Sequence, residues 1–449
     1  MKRWKIGVLV SVALLLWGRA AVADLLYVAT DSANVATVGM ITGKEYSVKD
    51  KLWGGVPQFG KIFSFKDPNG KYWAVIDNYS YSDAASQDTI DIFDPKGTWK
   101  EPQKELKEWG RNLYGLATAD NYLYVAAFER REGEAQKSGE IVRVDMTKGG
   151  FTRDREYLFD PLDDILRRPC AVQVIDDKVY VLTYTYDGTH SDNAQFNASE
   201  VFEFNRELKL LRTIPLGQDN PKAKNAQRMQ VFDGKLYVGT TGGAQEAGES
   251  SVGGIWEIDP SGIELSQKPL LDLSTLKDSD LDGKEKGVLG FQIAKDGTVY
   301  LLVGGYDSTS MSYISKFYTT TMEQLLKGEI GESVPSFPSV SEILYDEQTA
   351  TLWARTESWL PEGGGTLYAY DQGAKPLKTF TPADLGNAVF FWALLEGDED
   401  VEDVPPPTVN PGTPVAPSPN SESGGGCNTS YGAVGLLLMG MLLRKYRIL

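Results

Sequence analysis

The residues best equipped for chemistry lie between apolar runs, in polar stretches. Tyr79, Tyr81, Tyr186, Asp187, His190, Tyr306, Asp307 and Trp359 put flat aromatic faces beside carboxylates and one imidazole. Such pairings suit sugars, peptides or cationic groups. A sharper motif is Asp278-Ser279-Asp280-Leu281-Asp282-Gly283, whose alternate carboxylates and glycine bend can wrap Ca2+. The pattern then departs from calcium loops: Leu289 stands where an EF-hand needs its twelfth-position Glu, and Lys286 stands at the ninth position. An Asp-rich turn explains the same residues, and backbone carbonyls can complete a site, so both readings stand. Nucleophilic catalysis finds little support. There is no Gly-x-Ser-x-Gly elbow, phosphate-binding glycine loop or Cys/His cluster, and His190 is the only histidine. Among 62 acidic residues some carboxylate pair is inevitable, so a pair alone does not argue for glycoside hydrolysis.

Those residues must be positioned by a repeating scaffold. An aromatic recurs inside a short apolar run at Tyr27, Trp73, Tyr124, Tyr180, Tyr237, Tyr300 and Trp353, in steps of 46 to 63 residues. A period near 50 with strand-like units marks propeller blades. Turn residues such as Asp233-Gly234 and Asp296-Gly297 precede several markers, and another strand precedes each turn. Some 18 to 25 residues later comes a third strand, as in Ile90–Asp94 or Ile141–Asp145, and a looser fourth follows. The chain therefore predicts an all-β fold, a β-propeller of seven four-stranded blades. Residues 24–52 lack a first strand, while Ala388–Leu395 is a strand left over. Pairing the two closes the ring and removes its open edge. On this plan the second-to-third-strand loops, which carry the candidate residues, share one face. Gln173, Gln230 and Gln292 fall at equivalent places on inner strands, where they line the channel or satisfy one another.

Both termini carry addresses. Lys2, Arg3 and Lys5 precede the apolar run Ile6–Trp17, and Ala21-Val22-Ala23 supplies small residues, so residues 1–23 predict a signal peptide cleaved between Ala23 and Asp24. The propeller occupies 24–396, followed by an acidic, Pro/Ser/Gly-rich linker over 397–426. Segment 427–449 begins at Cys427 and contains the apolar run Ala433–Leu443 before Arg444-Lys445-Tyr446-Arg447. Gly424-Gly425-Gly426-Cys427, the apolar helix and the basic end together resemble the C-terminal sorting domains of bacteria, of the Synerg-CTERM and GlyGly-CTERM classes. That resemblance implies a rhomboid-like sorting protease as partner, cleavage near Cys427 and display at the cell surface. A plain membrane anchor explains the same segment, and either way the tail tethers the domain outside the membrane.

A net charge of −17 repels phosphate backbones, so nucleic acid is excluded as a partner. The expectation is an exported, surface-anchored propeller whose loop face binds an extracellular glycan, peptide or protein. The alternatives are a hydrolase or lactonase, with or without calcium, and a structural envelope or adhesion protein.

Overall fold

The computed structural model describes residues 24–30, 36–42, 45–56, 61–78, 89–95, 97, 104–106, 108–130, 138–147, 151–160, 165–187, 198–217, 220–242, 252–262, 268–307, 312–358 and 363–395. They form a ring of seven antiparallel sheets, a seven-bladed β-propeller. Blade 1 begins with β1 (Asp24–Thr30), β2 (Ala36–Thr42) and β3 (Ser47–Val56). Blade 2 is β4 (Lys61–Lys66), β5 (Tyr72–Asn78), β6 (Thr89–Phe93) and β7 (Lys104–Leu106). Blade 3 is β8 (Arg111–Ala119), β9 (Tyr122–Glu129), β10 (Glu140–Asp145) and β11 (Thr152–Leu158). Blade 4 is β12 (Ile165–Ile175), β13 (Lys178–Asp187), β14 (Glu200–Asn205) and β15 (Leu210–Pro215). Blade 5 is β16 (Ala226–Phe232), β17 (Lys235–Thr240), β18 (Gly254–Ile258) and β19 (Leu271–Asp272). Blade 6 holds β20 (Gly287–Ile293), β21 (Thr298–Asp307) and β22 (Ser312–Thr321). Blade 7 is β23 (Glu342–Asp346), β24 (Thr351–Arg355), β25 (Leu367–Asp371) and β26 (Pro376–Phe380), and β27 (Ala388–Leu395) returns to blade 1.

The ring shuts as the sequence implies. β27 is the innermost strand of blade 1 and pairs with β1 from Asp24↔Leu395 to Thr30↔Ala388. Hydrophobic clusters lie between consecutive blades all the way round, including one between blades 7 and 1 built from Leu25, Tyr27, Trp353, Leu367 and Val389. A radial sheet is buried on both faces, so its strands are apolar on both sides instead of alternating, as in the fully buried Leu123–Ala127. The recurrent aromatic faces the next blade. Tyr124 donates its hydroxyl to Arg206 O of blade 4 at 3.0 Å, and Tyr300 donates to Gln372 O of blade 7 at 3.1 Å. Tyr27 is out of phase: Leu26 and Val28 face blade 2, so Tyr27 points back toward blade 7 and donates to Leu385 O at 3.3 Å. Asp233 and Gly234 both take positive φ, 47° and 71°, as the two-residue hairpin turn requires.

Blade 6 departs from the four-strand expectation. Beyond β22 the chain turns into a short helix, α1 (Met322–Leu325), with a capping box between Thr321 and Gln324. Instead of a fourth strand there follow a single bridge, Tyr318↔Ser333, and one backbone bond, from Val334 N to Phe317 O at 2.8 Å. Gly328, Gly331, Pro335 and Pro338 explain the loss, since proline cannot donate to a ladder and glycine weakens one.

Candidate functional site

Second strands hand over to third strands on one face of the ring, here the upper rim, while the tight inner-to-second turns lie on the lower face. The first residues of the inner strands border the upper mouth of the channel. There the chain, acidic as a whole, gathers cations: Lys61, Arg111, Arg167, Arg168 and Arg228. An inner strand has one edge facing the channel with no neighbouring strand, and its backbone groups need partners there.

The polar side chains of the mouth meet that need across blade boundaries. Asp77, at 1% exposure, accepts from Leu113 N at 2.6 Å, and Lys61, at 2%, donates to Leu113 O at 3.1 Å and to the Asn112 side chain. Blade 2 thus caps the inner edge of blade 3 with one acid and one base. Arg355 Nη1 donates to Val389 O of β27 at 3.3 Å, and toward the lower end of the same strand the Ser64 hydroxyl donates to Leu394 O. Deeper in the channel the glutamines do the same. Gln173 donates to Met229 O at 3.2 Å, while Gln230 accepts from Ile293 N at 2.7 Å and donates to Gln292 Oε1 at 2.9 Å. Each is opposite a marker tyrosine in its own sheet and so faces the next blade. They satisfy one another and the neighbouring strand.

Two carboxylates act as bridges. Glu129 Oε1 lies 3.1 Å from Arg168 Nη1 and its Oε2 lies 3.7 Å from Arg111 Nη1, joining blades 3 and 4 with all three side chains buried. Glu342 meets Arg355 Nη2 at 3.2 Å and reaches Arg228 Nη2 at 3.5 Å, passing in front of blade 6 to blade 5. Beneath Glu129 a stack of rings spans the same seam. Lys61 Nζ is 3.7 Å from the centre of the Tyr114 ring, Tyr114 stacks on Phe128 at 4.5 Å, and the Arg168 guanidinium is 4.7 Å from Phe128. The mouth is therefore a polar collar in which Lys61, Arg111, Arg168, Arg228 and Arg355 meet Asp77, Glu129, Glu342 and the backbone edges of neighbouring blades. Nothing in the spacing of the sequence singles out Glu129 or Glu342, because their partners in other blades, Arg168 and Arg228, lie 39 and 114 residues away. The visible clue is the recurrence of Lys or Arg at the start of four successive inner strands.

Some of the sequence-derived candidates lie among the described residues and some do not. Tyr79, Tyr81, His190 and Trp359 lie outside the described residues, as do Ala23 and Gly424, Gly425, Gly426 and Cys427. Asp24 is the first residue of β1. Tyr186 and Asp187 prolong β13 opposite Leu166 and Ile165, and Tyr306 and Asp307 prolong β21 opposite Tyr313 and Ser312. Two loops are thus shorter than expected, and these four residues arrive at the upper rim on strand ends, which fix backbone position better than loops do.

Asp278, Asp280 and Asp282 sit on the upper link between blades 5 and 6. Asp278 caps a 3-10 turn over Ser279–Leu281 by accepting from Asp280 N, and its other oxygen accepts from Tyr318 Oη at 2.7 Å. Burial alone would raise its pKa, but the Tyr318 hydroxyl and the Asp280 N–H hold its carboxyl below the usual range. Asp280 pairs with Lys316, and Asp282 lies 3.4 Å from Lys286 Nζ. The three carboxylates thus turn to separate partners. Among the described residues no group of three or more His, Cys, Asp or Glu side chains is arranged to hold a metal ion, and no helix is long and apolar enough to cross a membrane.

Cys170 lies in the cluster between blades 4 and 5, its thiol facing Leu182 O and Ala226 O. Burial pushes the thiol pKa up to about 12.

No protein-family model and no curated protein matches the chain. Solved structures share the ring. A Bacteroides fragilis protein provisionally assigned as a 6-phosphogluconolactonase superposes with a TM-score of 0.51 at 11% identity, covering 84% of this chain and 98% of the other. The periplasmic gluconolactonase of Pseudomonas aeruginosa gives 0.46 at 10% identity, covering 80% and 96%. A functionally unknown protein from Desulfotomaculum acetoxidans gives 0.46 at 9%, covering 84% and 99%. At such identities the likeness is one of fold.

Proposed function

We propose that this chain is an exported, surface-tethered binding protein whose upper rim holds an extracellular glycan, peptide or protein. The observation that carries this reading is the collar. Three of its carboxylates, Asp77, Glu129 and Glu342, engage backbone edges and guanidinium bridges, which favours a role as supports for the rim. A stiff collar beneath aromatic-bearing strand ends suits a recognition surface. Orientation agrees with tethering. Asp24 and Leu395 are paired at the level of the lower turns, so a leader and a tail both leave opposite the rim.

Glycan and peptide arrays probed with the full chain test the proposal, followed by Tyr186→Ala and Trp359→Ala. Saturable binding to one ligand class, weakened in both variants with unchanged melting, is the expected result. The lactonase alternative takes its place if no array feature binds and the chain opens sugar lactones above the buffer rate.

A further inference from the structure

The two ends of the folded domain meet in one blade, and the strand that closes the ring is the strand from which the tail leaves. β27 pairs with β1 at seven positions, Asp24↔Leu395, Leu25↔Leu394, Leu26↔Ala393, Tyr27↔Trp392 and Val28↔Phe391, then, past a register shift at Phe390, Ala29↔Val389 and Thr30↔Ala388. Its side chains enter two clusters: Phe391, Ala393 and Leu395 pack with Ile62 and Ile76 of blade 2, and Val389 and Trp392 pack with Trp353 and Leu367 of blade 7. Both neighbouring blades also hold its backbone. Val389 N donates to Gly365 O at 3.1 Å, Arg355 donates to Val389 O, and Ser64 donates to Leu394 O.

We infer that this closure is the mechanical joint of the protein, carrying tension between a ligand held at the upper rim and the tail as shear along β27. The inference rests on the proposed tethering by residues 397–449. Antiparallel hydrogen bonds run perpendicular to the strands, so a pull along the strand axis strains all the pairs together. A pull that separates Leu395 from Asp24 loads one pair at a time. With the tail leaving at the lower end of β27 and the rim at the other, a captured ligand loads the clasp in its strong direction. Seven pairs and two packed faces then resist as one unit.

The test stretches the full chain between cysteine handles in a single-molecule instrument. Cys427 in the tail is one handle, and buried Cys170 does not compete for the label. The second is either Lys277→Cys, exposed on the upper link between blades 5 and 6, or Asp24→Cys at the lower end of β1. Rupture from Lys277→Cys is expected at several-fold higher force than from Asp24→Cys, with β27 leaving first in both. Equal forces, or first release in another blade, overturn the inference. The tether is judged separately on cells: a chain that stays cell-bound after deletion of residues 424–449 refutes tail anchoring, whatever the force ratio.

Discussion

Replacing Glu129 with Leu removes the shared anion from two buried guanidiniums. Arg111 and Arg168 side chains are 6% and 5% exposed, so neither can recover water without opening the seam between blades 3 and 4. Breaking a buried ion pair by deleting one partner typically costs about 3–5 kcal/mol, most of it the stranded opposite charge. The Phe128 face under the desolvated Arg168 offsets about 2 kcal/mol of that. At ~2.1 cal/mol/K per residue, the span from Asp24 to Leu395 has an unfolding entropy of about 0.8 kcal/mol/K, which converts a net loss of ~1–3 kcal/mol into a Tm drop of roughly 1–4 °C. The paired change Glu129→Leu with Arg168→Met removes one charge of each sign and should recover part of that loss. Differential scanning calorimetry on wild type, both single variants and the double variant gives the coupling directly. A Glu129→Leu variant that melts within a degree of wild type would show that the bridge is not a structural clamp, and the proposed rigidity of the collar would go with it.

Other outcomes follow from the same structure. In a Cys427→Ser background, Cys170 should resist thiol reagents until the protein unfolds, because burial keeps it a neutral thiol; labelling under native conditions at neutral pH contradicts the packing between blades 4 and 5. Asp278 and Asp272 are held below the usual carboxylate range, against the opposing effect of burial, by hydrogen bonds from Tyr318 and from Lys222 and Ser274, and Glu207 is lowered by Arg143. A depressed folded-state pKa gives stability that is complete above the unfolded value and lost as pH falls through the folded one, so Tm should decline as pH drops below about 4. A Tm unchanged to strongly acidic pH would show that these bonds do not persist in solution. Asp280→Ala breaks the pair with Lys316 and should lower Tm slightly and equally with calcium or chelator; a loss seen only with calcium would assign the Asp278–Gly283 turn to the metal.

The scaffold was largely legible because a radial sheet imposes a local, repeated demand. Each blade needs a large residue on its second strand to fill the next interface, and Tyr124, Tyr180, Tyr237 and Tyr300 answer it at steady spacing. The exceptions are physical. Tyr27 sits in a strand whose inner partner comes from the far end of the chain, so its phase is set by β27 and not by a preceding turn. Blade 6 loses its fourth strand to the prolines and glycines of 328–338. The collar was illegible for a different reason. Edge capping depends on which residue of one blade meets the backbone of the next, and pairs such as Arg228 with Glu342 arise only once blades 5 to 7 stand side by side.

The most direct test of the account is whole-cell binding. Cells carrying the full chain are titrated with a fluorescent form of the array-selected ligand, beside cells whose chain ends at Ser423. Removing the tail should transfer binding from the cells to the medium with Kd unchanged. Binding that stays with the cells, or a released, folded chain that no longer binds, would contradict it.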